Sequence, residues 1–362
     1  MNDMHAPEQA NRALRQDALR QDFYRRIDAD NLAPLWEQLH SLVTPTPRSN
    51  CRPVHWPYHT VRAHLGEAGR LITAEEAIRR VLILENPGLR GQAAATTSLY
   101  AGLQMILPDE LAPPHRHTQA AIRLIMEGEG AYTAVDGEKT LMQRGDFVIT
   151  PAWHWHEHGN ETDAPMVWLD GLDVPLVAML DASFAENADK APKERKSGGE
   201  SRARFGSNLL PVDYVAPTPA SPLFKYPYAE ALAALRTIAA GNAPDACHGH
   251  KLRYANPVTG GYPTPTIGAF IQLLPDGFAT QAYRCSSGTV FAVIDGALDV
   301  LIGDMRFTAQ PNDVFVVPSW AGHRFTAQGE TTVFSFSDRP VQEALGLWRE
   351  QREQREQREQ RD

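Results

Sequence analysis

The stretch Gly145-Asp146-Phe147-Val148-Ile149-Thr150-Pro151-Ala152-Trp153-His154-Trp155-His156-Glu157-His158-Gly159-Asn160 decides the fold, read with Pro114-His115-Arg116-His117-Thr118 upstream of it. Five of the thirteen histidines fall between His115 and His158. On a β-strand alternate residues share a face. His115 and His117 therefore point one way, Arg123 joins them if the strand runs on unbroken, and His156 and His158 share a face. A His-x-His pair with a third His on a neighbouring strand makes a cation site. Imidazole suits Zn, Cu, Fe and Ni, and three neutral ligands leave positions open for substrate. The competing reading is two solvated histidine clusters on hairpin loops.

A chain of 362 residues has room for two domains of ordinary size. No apolar run approaches a membrane span. The first 30 residues are polar and charged, with no secretory signal pattern. Three cysteines, far apart and odd in number, argue against a disulfide framework and fit a cytoplasmic protein. A net charge of -9 disfavours nucleic acid or an anionic membrane as partner, though not a small organic anion at a locally basic site.

The apolar spacing predicts helix over 8–42, split at Pro34. Prolines at 45, 47, 53 and 57 then leave Trp56-Pro57-Tyr58 as an extended arm. From Thr97 to about Asp173, short apolar strands alternate with turns, the pattern of a sandwich or barrel. Residues 181–206 are polar and basic (Lys190, Lys193, Arg195), a mobile linker, and Tyr228 to Ala240 reads as a helix. Then the unit repeats. Leu107-Pro108-Asp109 returns as Leu274-Pro275-Asp276, an offset of 274 minus 107, or 167. Asp146, Pro151, Trp153 and His156 return as Asp313, Pro318, Trp320 and His323 at the same offset. Repeated spacing of this kind means one structural unit used twice. At an offset of 168, His115, His117 and Arg123 fall on Tyr283, Cys285 and Phe291, so the second copy lacks the metal set. The expected organisation is a helical and extended arm over 1–78 and a metal-binding barrel over 79–180. A linker and interdomain helix over 181–265 precede a second, metal-free barrel over 266–340. A helical tail rich in Arg-Glu-Gln closes the chain over 341–362.

Gly145-x5-Pro151-x4-His156-x3-Asn160 resembles the second motif of the cupin superfamily, and His115-x-His117 the start of the first. Two departures stand out: Thr118 to Arg123 contains no carboxylate ligand, and Trp153 sits where a glycine is usual. Longer strings carry a closer resemblance. They include Leu99-Tyr100-Ala101-Gly102-Leu103-Gln104, Ala112-Pro113-Pro114-His115-Arg116-His117-Thr118-Gln119, Trp168-Leu169-Asp170-Gly171-Leu172-Asp173 and Asn256-Pro257-Val258-Thr259-Gly260-Gly261-Tyr262-Pro263. On these the chain is similar to the gentisate 1,2-dioxygenases. The resemblance implies a mainly β bicupin, two tandem barrels, with one Fe(II) per subunit in the first. It implies O2 and gentisate (2,5-dihydroxybenzoate) as reactants, maleylpyruvate as product and a cytoplasmic homotetramer.

The expected metal ligands are His115, His117 and His156. With no acid among them, the metal keeps its full charge for an anionic substrate that chelates through carboxylate and phenolate oxygens. Arg123 is the first candidate for gripping the substrate carboxylate. His158 is a candidate acid/base or an orienter of His156, and Asp170 a partner fixing a ring tautomer. Gln104 and Tyr100 lie on a strand that lines the pocket in the resembling family, and Arg79 is suggested by that comparison alone. His154 is expected to be exposed. His248-x-His250 and the pair Cys285 and His323 have metal-like residue types without a complete ligand set. His55, His59 and His64 read as surface residues of the arm. The alternative substrates are salicylate and 1-hydroxy-2-naphthoate. A non-catalytic storage cupin predicts lost ligands in both barrels. A zinc sugar-phosphate isomerase would want the missing acid.

Overall fold

A computed structural model describes residues 5–187, 196, 198–207 and 209–353. Lys190, Lys193 and Arg195 lie outside these, as does the chain beyond 353. Residues 5–48 form a compact unit of their own, with helices His5–Ala29 and Leu35–Leu42. Pro34 stands at the N-cap of the second helix with φ -76 and ψ 112, and so breaks the run as its ring requires. No helix among the described residues is long and apolar enough to cross a membrane.

The remainder is mainly β. In the first barrel a six-stranded sheet runs Lys225–Tyr226, Phe147–Thr150, Ala121–Glu127, Met166–Leu172, Tyr100–Ile106 and Val81–Ile83. A five-stranded sheet runs Ala185–Asn187, Leu111–His117, His156–Gly159, Glu129–Val135 and Glu138–Gln143. All these pairings are antiparallel. The strand Tyr100–Ile106 is buried along almost its whole length, because the six-stranded sheet has the cavity on one side and the second barrel on the other. Phe147, Ile149, Val290 and Phe334 belong to one apolar cluster that joins the two barrels. The second barrel is built on a nine-stranded sheet whose long strands Thr289–Ile302 and His323–Ser337 pair through two register shifts.

The repeat extends further than the sequence spacing shows. Val54–Trp56, which precedes the first barrel, pairs with Val314–Val317 of the second. Lys225–Tyr226, which precedes the second barrel, pairs with Phe147–Thr150 of the first. Each arm then turns at a proline N-cap into a helix, Tyr58–Leu71 after Pro57 and Tyr228–Gly241 after Pro227. The Tyr58 N–H donates to Asp313 Oδ1 at 2.7 Å, and the Tyr228 N–H to Asp146 Oδ1 at 3.0 Å. His55 Nε2 lies 2.8 Å from the other oxygen of Asp313, and Lys225 Nζ 2.6 Å from the other oxygen of Asp146. The tyrosine hydroxyls reach back across the interface, Tyr58 to Glu127 at 2.7 Å and Tyr228 to Asp295 at 2.5 Å. The two barrels have exchanged arms. His55 is thus an interface residue rather than a surface one, and it stacks on Phe307 with centroids 4.3 Å apart.

The tail departs from the helix expected of it. Arg339–Ala344 is helical, but Glu350–Arg352 is a strand on the edge strand Tyr283–Cys285. That edge presents unpaired backbone groups, and the charged tail residues find partners around it. Glu350 accepts from the Tyr283 hydroxyl at 2.8 Å, and Arg352 pairs with Asp245 at 2.8 Å.

Candidate metal centre and substrate cavity

Strand parity places His115 and His117 on one face of Leu111–His117, and antiparallel pairing sets His115 opposite His156. One ligand atom from each of His115, His117 and His156 lies within 4.8 Å of the others. The three rings are held by their own backbone. His115 Nδ1 donates to the Pro113 carbonyl at 3.0 Å, His117 Nδ1 to that of Gln119 at 2.8 Å, and His156 Nδ1 to that of His154 at 3.0 Å. That fixes the Nδ1–H tautomer and turns each Nε2 lone pair inward. Nε2 of His115 and of His156 is buried without a hydrogen-bond partner. Burial pulls His115 down to about 3 and His117 to about 4, with the Arg79 charge adding to both, and draws His156 well below the usual range. The residues present three neutral, preoriented nitrogen donors, and these suit a borderline cation. Trp153 closes the turn beside them at φ 63, the left-handed region that explains why glycine is usual there. Its N–H donates to the His117 carbonyl at 2.8 Å, and Arg116 covers its ring at 4.5 Å.

A cavity of about 300 Å³ opens beside the histidines, lined by Arg79, Tyr100, Gln104, Arg123, His158 and Asp170 among others. Inside it most polar groups are already engaged. Arg123 sits 3.1 Å from Asp170 through Nε, donates to Thr150 Oγ1 at 2.6 Å, and lies 3.2 Å from His158 Nε2. The Arg123–Asp170 contact is close but not aligned as a hydrogen bond. Burial pushes the carboxyl up and the guanidinium down, and each charge opposes the shift of the other. Asp170 also accepts from Trp168 Nε1 at 3.1 Å. Asp170 therefore holds Arg123, opposite which the strand register sets it, and no imidazole among the described residues donates to it. His158 is spent at both nitrogens: Nδ1 donates to Thr133 Oγ1 at 3.0 Å, and Nε2 accepts from Arg123. It orients Arg123 rather than His156.

Among the described residues, Arg79, Gln104 and Tyr100 line the cavity without side-chain hydrogen bonds or ion pairs. Arg79 forms no ion pair among the described residues, and its Nε is buried without a partner. Burial lowers Arg79 most, and the neighbouring Arg123 charge lowers it further. Gln104 is 3 % exposed and faces the cavity without a hydrogen bond among the described residues. The Tyr100 ring lies across Gly102, where an added Cβ would stand 2.5 Å from the hydroxyl. Sequence reasoning missed Gln119, Val81, Leu172 and Val174 in the lining, and Thr133 and Thr150 behind it. Gln119 lies in the bend just after His117, where strand parity no longer applies. Val81 is placed by its pairing with Gln104, a non-local fact. His154 is half-buried, its Nδ1 donating to the Ala152 carbonyl at 3.0 Å. Among the described residues, the second barrel brings no three metal-ligating side chains together.

A cupin domain family model matches residues 102–173. The chain is 52% identical over 334 residues to gentisate 1,2 dioxygenase 1 of Aquipseudomonas alcaligenes, covering 92% of this chain and 96% of that protein. It is 38% identical over 356 residues to 5-aminosalicylate 1,2-dioxygenase of a Comamonas species, covering 96% of this chain and 92% of that one. Among solved structures, salicylate 1,2-dioxygenase of Pseudoaminobacter salicylatoxidans, crystallised as adducts with gentisate, aligns with a TM-score of 0.87 at 34% identity. That alignment covers 92% of this chain and 93% of the other.

Proposed function

We propose, from the premise that this chain belongs to the gentisate 1,2-dioxygenase family of cupin dioxygenases, that it cleaves gentisate with O2 to maleylpyruvate. The cleaved bond joins the carboxyl-bearing carbon to the adjacent hydroxyl carbon. Both oxygen atoms enter the product, so no external reductant is needed. His115, His117 and His156 would hold one iron(II) per subunit. The observation that carries this is the convergence of three backbone-locked imidazoles, two with buried and partnerless Nε2. Iron bound there supplies Lewis acidity toward the substrate oxygens and the one-electron chemistry that dioxygen requires.

The chain's own residues then bind and orient the aromatic acid. Arg79 is the guanidinium with its donors free, and it takes the carboxylate. Arg123 has its fork held by Thr150, His158 and Asp170; it contributes positive charge from a fixed position and completes the wall. Asp170 and His158 are positioning residues for Arg123. Gln104 and Tyr100 offer unspent polar groups toward the ring, which favours a substrate with a second hydroxyl over salicylate or 1-hydroxy-2-naphthoate. Apolar Val81, Leu172 and Val174 exclude water around the ring. The unpaired Cys51, Cys247 and Cys285 fit a reducing, cytoplasmic setting. Exposed Met179, Leu180 and Phe184 give copies of the chain apolar surface to cover, in keeping with a homotetramer.

Oxygen uptake by iron(II)-loaded protein with gentisate, salicylate and 1-hydroxy-2-naphthoate tests the reading. Rapid uptake with ring-cleavage absorbance for gentisate, and little for the monohydroxylated acids, is expected. Equal turnover of all three would remove the role given to Tyr100 and Gln104, and none with any would remove the function.

A further inference from the structure

The second barrel keeps a cavity where the first has its large one, and strand register fixes the equivalence. Gln104 pairs with Val81 and Trp168; Gln272 pairs with Lys251 and Val333. Arg123 lies opposite Asp170, and Phe291 opposite Ser335. His115 lies opposite His156, and Tyr283 opposite His323. The arginine and its carboxylate have thus become Phe291 and Ser335, and a lysine has entered at the place of Val81. The exchange fills the interior. Phe291 packs edge-on against Phe325 with centroids 5.3 Å apart, and stacks on Phe315 at 5.1 Å. About 30 Å³ is left, against about 300 Å³ in the first barrel. One water needs roughly 10–15 Å³ on this measure. The space admits a group of a few heavy atoms and excludes an aromatic acid.

Its charge is one-sided. The lining holds two cations, Lys251 and Arg339, and no carboxylate. Arg339 is engaged, with Glu343 at 2.7 Å and over the Trp348 ring at 3.9 Å. Lys251 is half-buried and has no ion-pair partner among the described residues, although Asp245 and Glu350 act on its charge from a distance; its Nζ lies 5.0 Å from the centre of the Phe270 ring. Burial pulls its ammonium down to about 8. Two further donors face the space unspent. Ser287 Oγ and Trp348 Nε1 are buried without hydrogen-bond partners, and Ser287 is only 2% exposed. The Asp338 carboxyl lies near enough for Ser287 to lower it, yet no bond forms between them; it accepts instead from Ser98 and Gln342. His323 and His248 are both drawn down by burial, so they add no charge near pH 7. Asp245 and Glu350 favour the charged form of Lys251 only from beyond ion-pair distance, so a small anion within reach would relieve the cost of holding the ammonium away from water.

We propose that the second barrel binds one small monovalent anion, of halide or formate size, held by Lys251 Nζ, Ser287 Oγ and Trp348 Nε1. The site shares no residue with the first barrel and does not depend on the iron reading. Bromide is the probe. Thermal unfolding of the intact protein is followed as sodium bromide replaces sodium gluconate at constant ionic strength, gluconate being too large to enter. A saturating rise in Tm is expected. Lys251→Met should raise the half-saturating concentration at least about tenfold, the scale of one charge-assisted hydrogen bond. Ser287→Ala should raise it less. Crystals grown in bromide should show anomalous density between Lys251 and Ser287. Turnover by Lys251→Met should be unchanged, since it touches nothing in the first cavity. In gluconate, Lys251→Met should be at least as stable as the parent, because it removes an ammonium that burial disfavours and no ion pair holds. If that variant does not fold, Ser287→Ala carries the comparison. A rise that never saturates and is shared equally by the variants would be a surface salt effect and would overturn the site, as would no rise at all.

Discussion

Two arginines face the first cavity, and they differ in what they have left to give. Arg123 looked the better carboxylate ligand in the sequence because an unbroken strand would put it on the face of His115 and His117, but that strand ends at His117 and Arg123 lies on the next, Ala121–Glu127, in the other sheet. In the structure its guanidinium is held by Thr150, His158 and Asp170, while Arg79 has no ion pair among the described residues. Arg79→Met should therefore raise KM for gentisate about 10- to 100-fold, the loss of a charge-assisted contact, and leave iron content intact. Arg123→Met should strip Asp170 of its counter-charge and destabilise the fold by about 3–5 kcal/mol. Steady-state kinetics and urea unfolding of both variants separate the two roles; matching effects would refute the division. The shared face of His115 and His117 was legible because period-2 alternation is local, and His156 joins them by pairing across from His115. The engagement of Arg123 was not, since it rests on Asp170 arriving opposite it from a strand more than forty residues away, a register no local pattern records.

Among elements, the matched arms are the least expected feature. Sequence spacing revealed the repeat through its turns, where Asp146 and Asp313 recur with Pro151 and Pro318. It did not reveal that each aspartate receives the arm belonging to the other barrel. Trp56-Pro57-Tyr58 and Tyr226-Pro227-Tyr228 are similar strings, but the strands they end are only three and two residues long. So few residues carry no alternation to read. Asp313→Ala would leave the Tyr58 and Gln310 N–H groups and the His55 ring without their acceptor. Asp146→Ala would do the same to Tyr228, Gln143 and Lys225. Each should cost about 2–4 kcal/mol on unfolding in urea, and by similar amounts. A large loss for one and none for the other would contradict the equivalence. Gly145 serves the same junction. At φ +84 it lets the Tyr228 ring approach to where a Cβ would stand 2.6 Å away.

For the whole molecule, exchanged arms and a shared core tie the two barrels into one body, although among the described residues only the first carries a complete donor set. A chain severed between Asn187 and Gly198 should stay associated through purification and retain activity, because each half holds a strand of the other's sheet. Separation of the halves on gel filtration without denaturant would show that the arms do not lock them. The bicupin plan was visible in the sequence; the strand made by Glu350–Arg352 was not, because a charged, low-complexity segment has no apolar face, and only the open edge at Tyr283–Cys285 gives it a partner. The division of labour between the barrels is tested most directly by iron analysis of the purified protein beside His156→Ala and His323→Ala, the equivalent histidines of the two copies. One iron per chain is predicted for the parent and for His323→Ala, with almost none in His156→Ala. Iron retained by His156→Ala, or lost from a folded His323→Ala, would contradict the assignment of the metal to the first barrel.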